Sequence, residues 1–73
     1  MPARLSRVAS AASTYGISLH KPKSGSHYKF KKPHHRTYPV PAHNGMKTVI
    51  SDVYIKGLCR NFALDYDEFK EKL

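Results

Sequence analysis

Three short segments in which apolar and polar residues alternate, residues 17–21, 27–31 and 36–40, follow one another through very short connections. Pro22, Lys23, Ser24 and Gly25 join the first to the second; Pro33, His34 and His35 join the second to the third. A parallel crossover takes about a dozen residues or more, so these strands pair only as antiparallel neighbours. Successive strand residues point to opposite faces. Ile17 and Leu19, Tyr28 and Phe30, and Tyr38 and Val40 therefore share one face, and Ser18 and His20 the other, with His27, Lys29 and Lys31. Pro39 has no N–H for a ladder, which predicts that the third strand lies at a sheet edge or ends early.

An apolar sheet face needs a cover, and helical patterns flank the strands. Leu5, Val8, Ala9 and Ala12 form one stripe within a helix predicted over residues 3–14, with Pro2 suited to its start and Gly16 to its C-terminal cap. Residues 41–47 read as a loop. Ser51 is an N-cap candidate for a second helix carrying Ile55, Leu58 and Phe62. Gly57 inside that helix costs about 1 kcal/mol relative to alanine. Asp65 and Glu68 have capping-box spacing, and Leu64 and Phe69 occupy the staple positions of a short helix from Tyr66 to about Lys72. The expected fold is α+β, a two-layer α-β-β-β-α domain with a three-stranded antiparallel sheet. At 73 residues the whole chain, 1–73, is one small domain.

The net charge of +8 is unevenly spread. Every acid (Asp52, Asp65, Asp67, Glu68 and Glu71) lies after Ser51, while nine of the thirteen Lys and Arg residues precede it. The first two thirds of the chain therefore favour a polyanionic partner. No apolar run approaches the ~20 residues of a membrane span, and no h-region of a secretory signal is visible. A membrane partner is not expected. The single Cys59 cannot form an internal disulfide, which suits a reducing cytosol.

The strand face carrying His27, Lys29 and Lys31 follows Gly25-Ser26. RNA brings its own nucleophile, the 2′-OH. Its cleavage needs a base for that proton, cations for the phosphorane, and an acid for the leaving 5′ oxygen. Imidazole titrates near ~6.5 and serves as base or acid near neutrality. Taken singly, His27 reads as a surface histidine and the lysines as solubilising charge; together on one strand face they suit phosphate chemistry. Lysine binds phosphate as a point charge, and Arg36 would add a planar fork if the third strand lies beside the second. Lys23 and Lys47 are assigned with them to RNA binding. If Lys21 and Ser26 pair across the turn, His20 falls opposite His27, Leu19 opposite Tyr28 and Ile17 opposite Phe30. Two adjacent imidazoles would then divide base and acid roles. Adjacent His34 and His35 point apart, and His43 lies in another element, so neither a metal nor another cofactor is expected.

Gly25-Ser26-His27-Tyr28-Lys29-Phe30, Lys32-Pro33 after that strand, and Val40-Pro41-Ala42-His43 together resemble the HicA family of bacterial mRNA interferase toxins. The closing pattern, a leucine-bearing helix followed by an acidic Glu-Phe helix, is similar to that family as well. The resemblance implies a double-stranded-RNA-binding-domain-like fold and an endoribonuclease acting on mRNA in the bacterial cytoplasm. It further implies His27 as the catalytic histidine and neutralisation by a HicB-type antitoxin covering the active face. The alternative is a non-catalytic RNA-binding module of the same fold, which the same charge pattern would serve. An antitoxin-type or DNA-binding protein would want a recognition helix, and neither long helix is basic along one face. No feature of the sequence points to a particular oligomeric state.

Overall fold

The computed structural model describes residues 1–73. Strand β1 (Ala3–Arg4) leads into helix α1 (Leu5–Ser13), and the sheet strands β2 (Ser18–His20), β3 (His27–Lys31) and β4 (Tyr38–Pro41) follow. A single 3₁₀ turn (Gly45–Lys47) and strand β5 (Val49–Ile50) precede helices α2 (Asp52–Asn61) and α3 (Tyr66–Lys70). The main sheet is antiparallel in the order β2-β3-β4. The fold is thus the expected α+β layout, with helices on one sheet face only. Tyr28, Phe30 and Val40 pack there against Leu5, Val8, Ile55, Leu58, Phe62 and Phe69. No helix is long and apolar enough to cross a membrane.

The register of the first hairpin departs from expectation. Leu19 pairs with Phe30, His20 with Lys29 and Ser18 with Lys31. His20 is therefore not opposite His27, as a four-residue turn would require. A shift of two residues leaves every side chain on its expected face, so alternation cannot distinguish the registers. The turn decides, and it opens to residues 21–26 rather than closing over 22–25.

Several boundaries also move. α1 starts at Leu5 because Ala3 and Arg4 pair with Ile50 and Val49, and Leu5 N–H donates to the Thr48 carbonyl at 2.8 Å. Two-residue strands carry no periodicity, so this clamp was not visible in the sequence. Ala11, not Ala9, completes the fully buried stripe of α1; Ala9 is half-buried beside it. The third strand starts at Tyr38 rather than residue 36. Ser51 caps α2 by accepting from Tyr54 N–H. The capping box does not form at α3: Asp65 caps the helix by accepting from Asp67 N–H, one residue short of the box position, at 3.2 Å, while Glu68 instead accepts the Tyr15 hydroxyl at 2.9 Å. Tyr15 stacks on Phe69 with ring centroids 6.0 Å apart, which brings its hydroxyl within reach of Glu68.

Pro39 and Pro41 protect the outer edge of β4. Ala42 N–H donates to Ser26 O at 2.7 Å, and Val40 and Tyr38 pair with Tyr28 and Phe30. Even-numbered β4 residues thus direct their backbone groups to β3. The alternate positions, 39 and 41, face outward, and proline has no N–H to offer there.

Both longer helices end in the same motif. Ile17 N–H donates to Ala12 O and Gly16 N–H to Ser13 O; Leu64 N–H donates to Cys59 O and Ala63 N–H to Arg60 O. Each set places one residue in the left-handed region before an apolar residue. That residue is Gly16 (φ +78) after α1 but Ala63 (φ +57) after α2. A Cβ in this region is strained. Ala63→Gly is expected to raise stability by about 0.5–1 kcal/mol, read as a higher denaturant midpoint with an unchanged slope.

Gly57 has the opposite sensitivity. A Cβ there would lie 3.2 Å from Tyr38 Cζ, and Tyr38 Oη would be closer still. That hydroxyl donates to Tyr54 O at 2.9 Å, and burial pushes its pKa up, keeping it a donor. Gly57→Ala would gain about 1 kcal/mol of helix propensity but displace the ring, at about 1–3 kcal/mol in strain and a further ~1 kcal/mol for the hydrogen bond. The expected net result is a loss of about 1–3 kcal/mol. In a Tyr38→Phe background the same change should cost less, which a double-mutant cycle reads directly.

Candidate nucleic-acid interface

The polar sheet face is built by strand alternation. On β3, Tyr28 and Phe30 are buried, and His27, Lys29 and Lys31 are exposed between them. β2 adds Ser18 and His20, and the 21–26 connection rises beside them. The result is an open groove lined by His20, Lys21, Lys23, His27, Lys29 and Lys31, with Pro22 and Ser24. It contains no acid and no apolar side chain other than proline.

Four of the five acids are engaged elsewhere. Asp52 accepts from the Met1 amino group and the Tyr66 hydroxyl and pairs with Lys56, which together hold its carboxyl well below the usual carboxylate range. Asp65 caps α3, Asp67 pairs with Lys70 at 3.3 Å, and Glu68 holds Tyr15. These contacts all lie on the helical side. The groove lysines form no ion pair, so their charge is available to an incoming anion.

His20 is held within this face. Ser18 Oγ donates to Lys31 O at 3.3 Å and lies 3.0 Å from His20 Nε2. Opposite Lys29, His20 is a diagonal neighbour of His27, a relation of about 7–8 Å in a sheet rather than the ~5 Å of a direct pair.

The structure therefore brings together His27, His20, Lys29, Lys31 and Lys23 of the residues singled out in the sequence, and adds Lys21 from the same turn. It does not bring Arg36 or Lys47 to the groove. Arg36 precedes β4, with its carbonyl bound by Asn61 Nδ2 at 2.8 Å. Lys47 is exposed in the 3₁₀ turn. The remaining histidines are dispersed: His34 and His35 lie in the β3–β4 turn, where the His35 ring is 5.7 Å from Phe62, and His43 is exposed after β4. No three His, Cys, Asp or Glu side chains converge where they could share a metal ion. Cys59 is buried, and burial pushes its thiol up to about 11, so it is not a nucleophile at neutral pH.

Comparison with protein-family models, with curated proteins and with solved structures finds no match.

Proposed function

We propose that this chain is a HicA-like endoribonuclease that cleaves single-stranded RNA, mRNA above all, by transesterification in the β2–β3 groove. One observation carries this reading: His27 stands in an acid-free groove with a second imidazole and four lysines. Each part has a chemical task. His27 takes the proton of the 2′-OH and in turn protonates the leaving 5′ oxygen or admits water to do so. Lys29, two residues along the same face, and Lys31 beyond it hold the scissile phosphate and its neighbour. Their charge lowers the cost of the phosphorane. Of the motif residues, Gly25 and Ser26 close the 21–26 connection and His27 opens β3 in the groove. A HicB-type antitoxin of acidic character would neutralise the protein by covering this face.

The chemistry fixes its products. Attack by the 2′-OH leaves a 2′,3′-cyclic phosphate on one fragment and a free 5′-hydroxyl on the other. Purified protein, incubated with a single-stranded RNA in the presence of a chelator, is expected to yield those ends at the rate seen without it. Activity lost to the chelator and restored by a divalent cation would overturn the mechanism. RNA that is bound but never cut would leave the non-catalytic RNA-binding module.

A further inference from the structure

Apart from Met1, the large apolar side chains left exposed are Met46, Val49, Val53 and Tyr54. Three of these four line two adjoining hollows. One runs along the outer face of α2, lined by Tyr38, Val53, Tyr54, Gly57, Arg60 and Asn61. The other lies at its N-terminal end, with Pro41, Val49 and again Tyr54 in its wall. Tyr54 joins them into one continuous groove. Val53 is 76% exposed and Val49 63%. A valine facing water on a helix gains no burial and has only modest helix propensity. Val53, Gly57, Arg60 and Asn61 recur at helical spacing and form one stripe. Gly57, with no side chain, leaves a notch in that stripe walled by the Tyr38 ring. Contiguous exposed apolar surface with a polar rim marks an interaction site. This groove shares no residue with the histidine–lysine groove.

We infer that the α2–β4 groove is a docking surface for an acidic amphipathic helix of a partner protein. Charge chooses the sign of the partner. Arg60 lines the groove, and the backbone carbonyl of Arg36, which accepts from Asn61 Nδ2, keeps a second arginine of the chain next to its end. Neither arginine forms an ion pair, and no acid lines either hollow. Asp52, the one acid on α2, is turned to Met1, Lys56 and Tyr66. The same argument disfavours a second copy of this chain, which would bring an arginine-rimmed face of a +8 molecule against its like. The β4 edge chooses the conformation. Pro39 and Pro41 leave no outward N–H there, so an added strand has no donor to pair with along it. Recognition through side chains laid into a groove is the mode of a helix.

The surface stands or falls independently of RNA cleavage. The test uses the whole protein, labelled with ¹⁵N, and a synthetic helical peptide with leucine at positions i, i+3, i+4 and i+7 and glutamate elsewhere. Saturable amide shifts are expected at residues 38, 53, 54, 57 and 60. The peptide with lysine in place of glutamate should give none. Val53→Ser combined with Tyr54→Ala should weaken binding by about tenfold or more without altering the remaining spectrum, since both side chains are exposed. Shifts confined to residues 20–31 would mean that the peptide is only a polyanion on the lysine groove, and would overturn the inference. So would the absence of binding at about 1 mM peptide. A dimer that Val53→Ser abolishes would assign the face to a second copy, and an RNA oligonucleotide shifting these same residues would assign it to nucleic acid.

Discussion

His27→Ala is expected to leave the protein folded and to lower RNA cleavage by about 10²–10⁴-fold, the range that a positioned general acid–base group supplies. The folded part of the prediction follows from exposure: the imidazole stands exposed on the open sheet face, outside the buried core. The loss follows from chemistry, because the only other imidazole in the groove is His20. His20 is the informative control. It faces Lys29 across the ladder, and its Nε2 is turned to Ser18. On the proposed reading it helps to hold the RNA, and His20→Ala is expected to lower cleavage less than about tenfold, through weaker RNA binding. The wild type and both variants, compared over pH 5–8 at subsaturating and at saturating RNA, decide the matter. If His20→Ala loses as much as His27→Ala and flattens one limb of the pH profile, the two imidazoles share the proton transfers. If His27→Ala cuts at the wild-type rate, the catalytic assignment is wrong.

The second large effect is electrostatic. Lys21, Lys23, Lys29 and Lys31 line one groove and have no carboxylate partner. Neutralising about four phosphates of a single strand gives a slope of about −2.8 in log affinity against log salt, or a ~50-fold loss between ~50 and ~200 mM salt. Lys29→Ala should reduce that slope by about 0.7. Lys70→Ala should leave it unchanged, since Lys70 is paired with Asp67 on α3. Arg36→Ala should also leave it unchanged, because the structure keeps Arg36 out of the groove. Fluorescence anisotropy with a labelled oligonucleotide, on an inactive His27→Ala background, measures all three. Binding indifferent to salt would remove the phosphate-contact account altogether.

A groove of this kind was largely legible in the chain. Alternation along residues 27–31 determined that His27, Lys29 and Lys31 share a face, and the structure keeps that face open. The side-chain period of a strand is two, so each residue's face follows from its parity alone. The clustering of all five acids after Ser51 likewise foretold a basic sheet face. Pro39 marked its strand as an edge, and the structure makes it the outer edge of the sheet. Ser51 and Asp65 cap their helices because a side-chain oxygen at that position meets orphan N–H groups of the first turn.

Other features were decided by tertiary structure. The hairpin register shifts by two residues, a change that parity cannot detect and only the 21–26 connection settles. Arg36 and Lys47 carry charge like any other lysine or arginine. Their distance from the groove depends on where β4 begins and on the 3₁₀ turn. Lys21 joined the site only when the turn opened. Glu68 had the spacing of a capping box but is drawn to Tyr15, a residue 53 positions away. Gly57 looked like a weak point in a helix, and the approach of Tyr38 gives it a reason. Local sequence determined which elements form and which face each residue takes, because those depend on neighbours within a few positions. Which residues meet across the molecule depended on loop geometry and on packing between distant segments, where a short stretch of sequence carries no period to read.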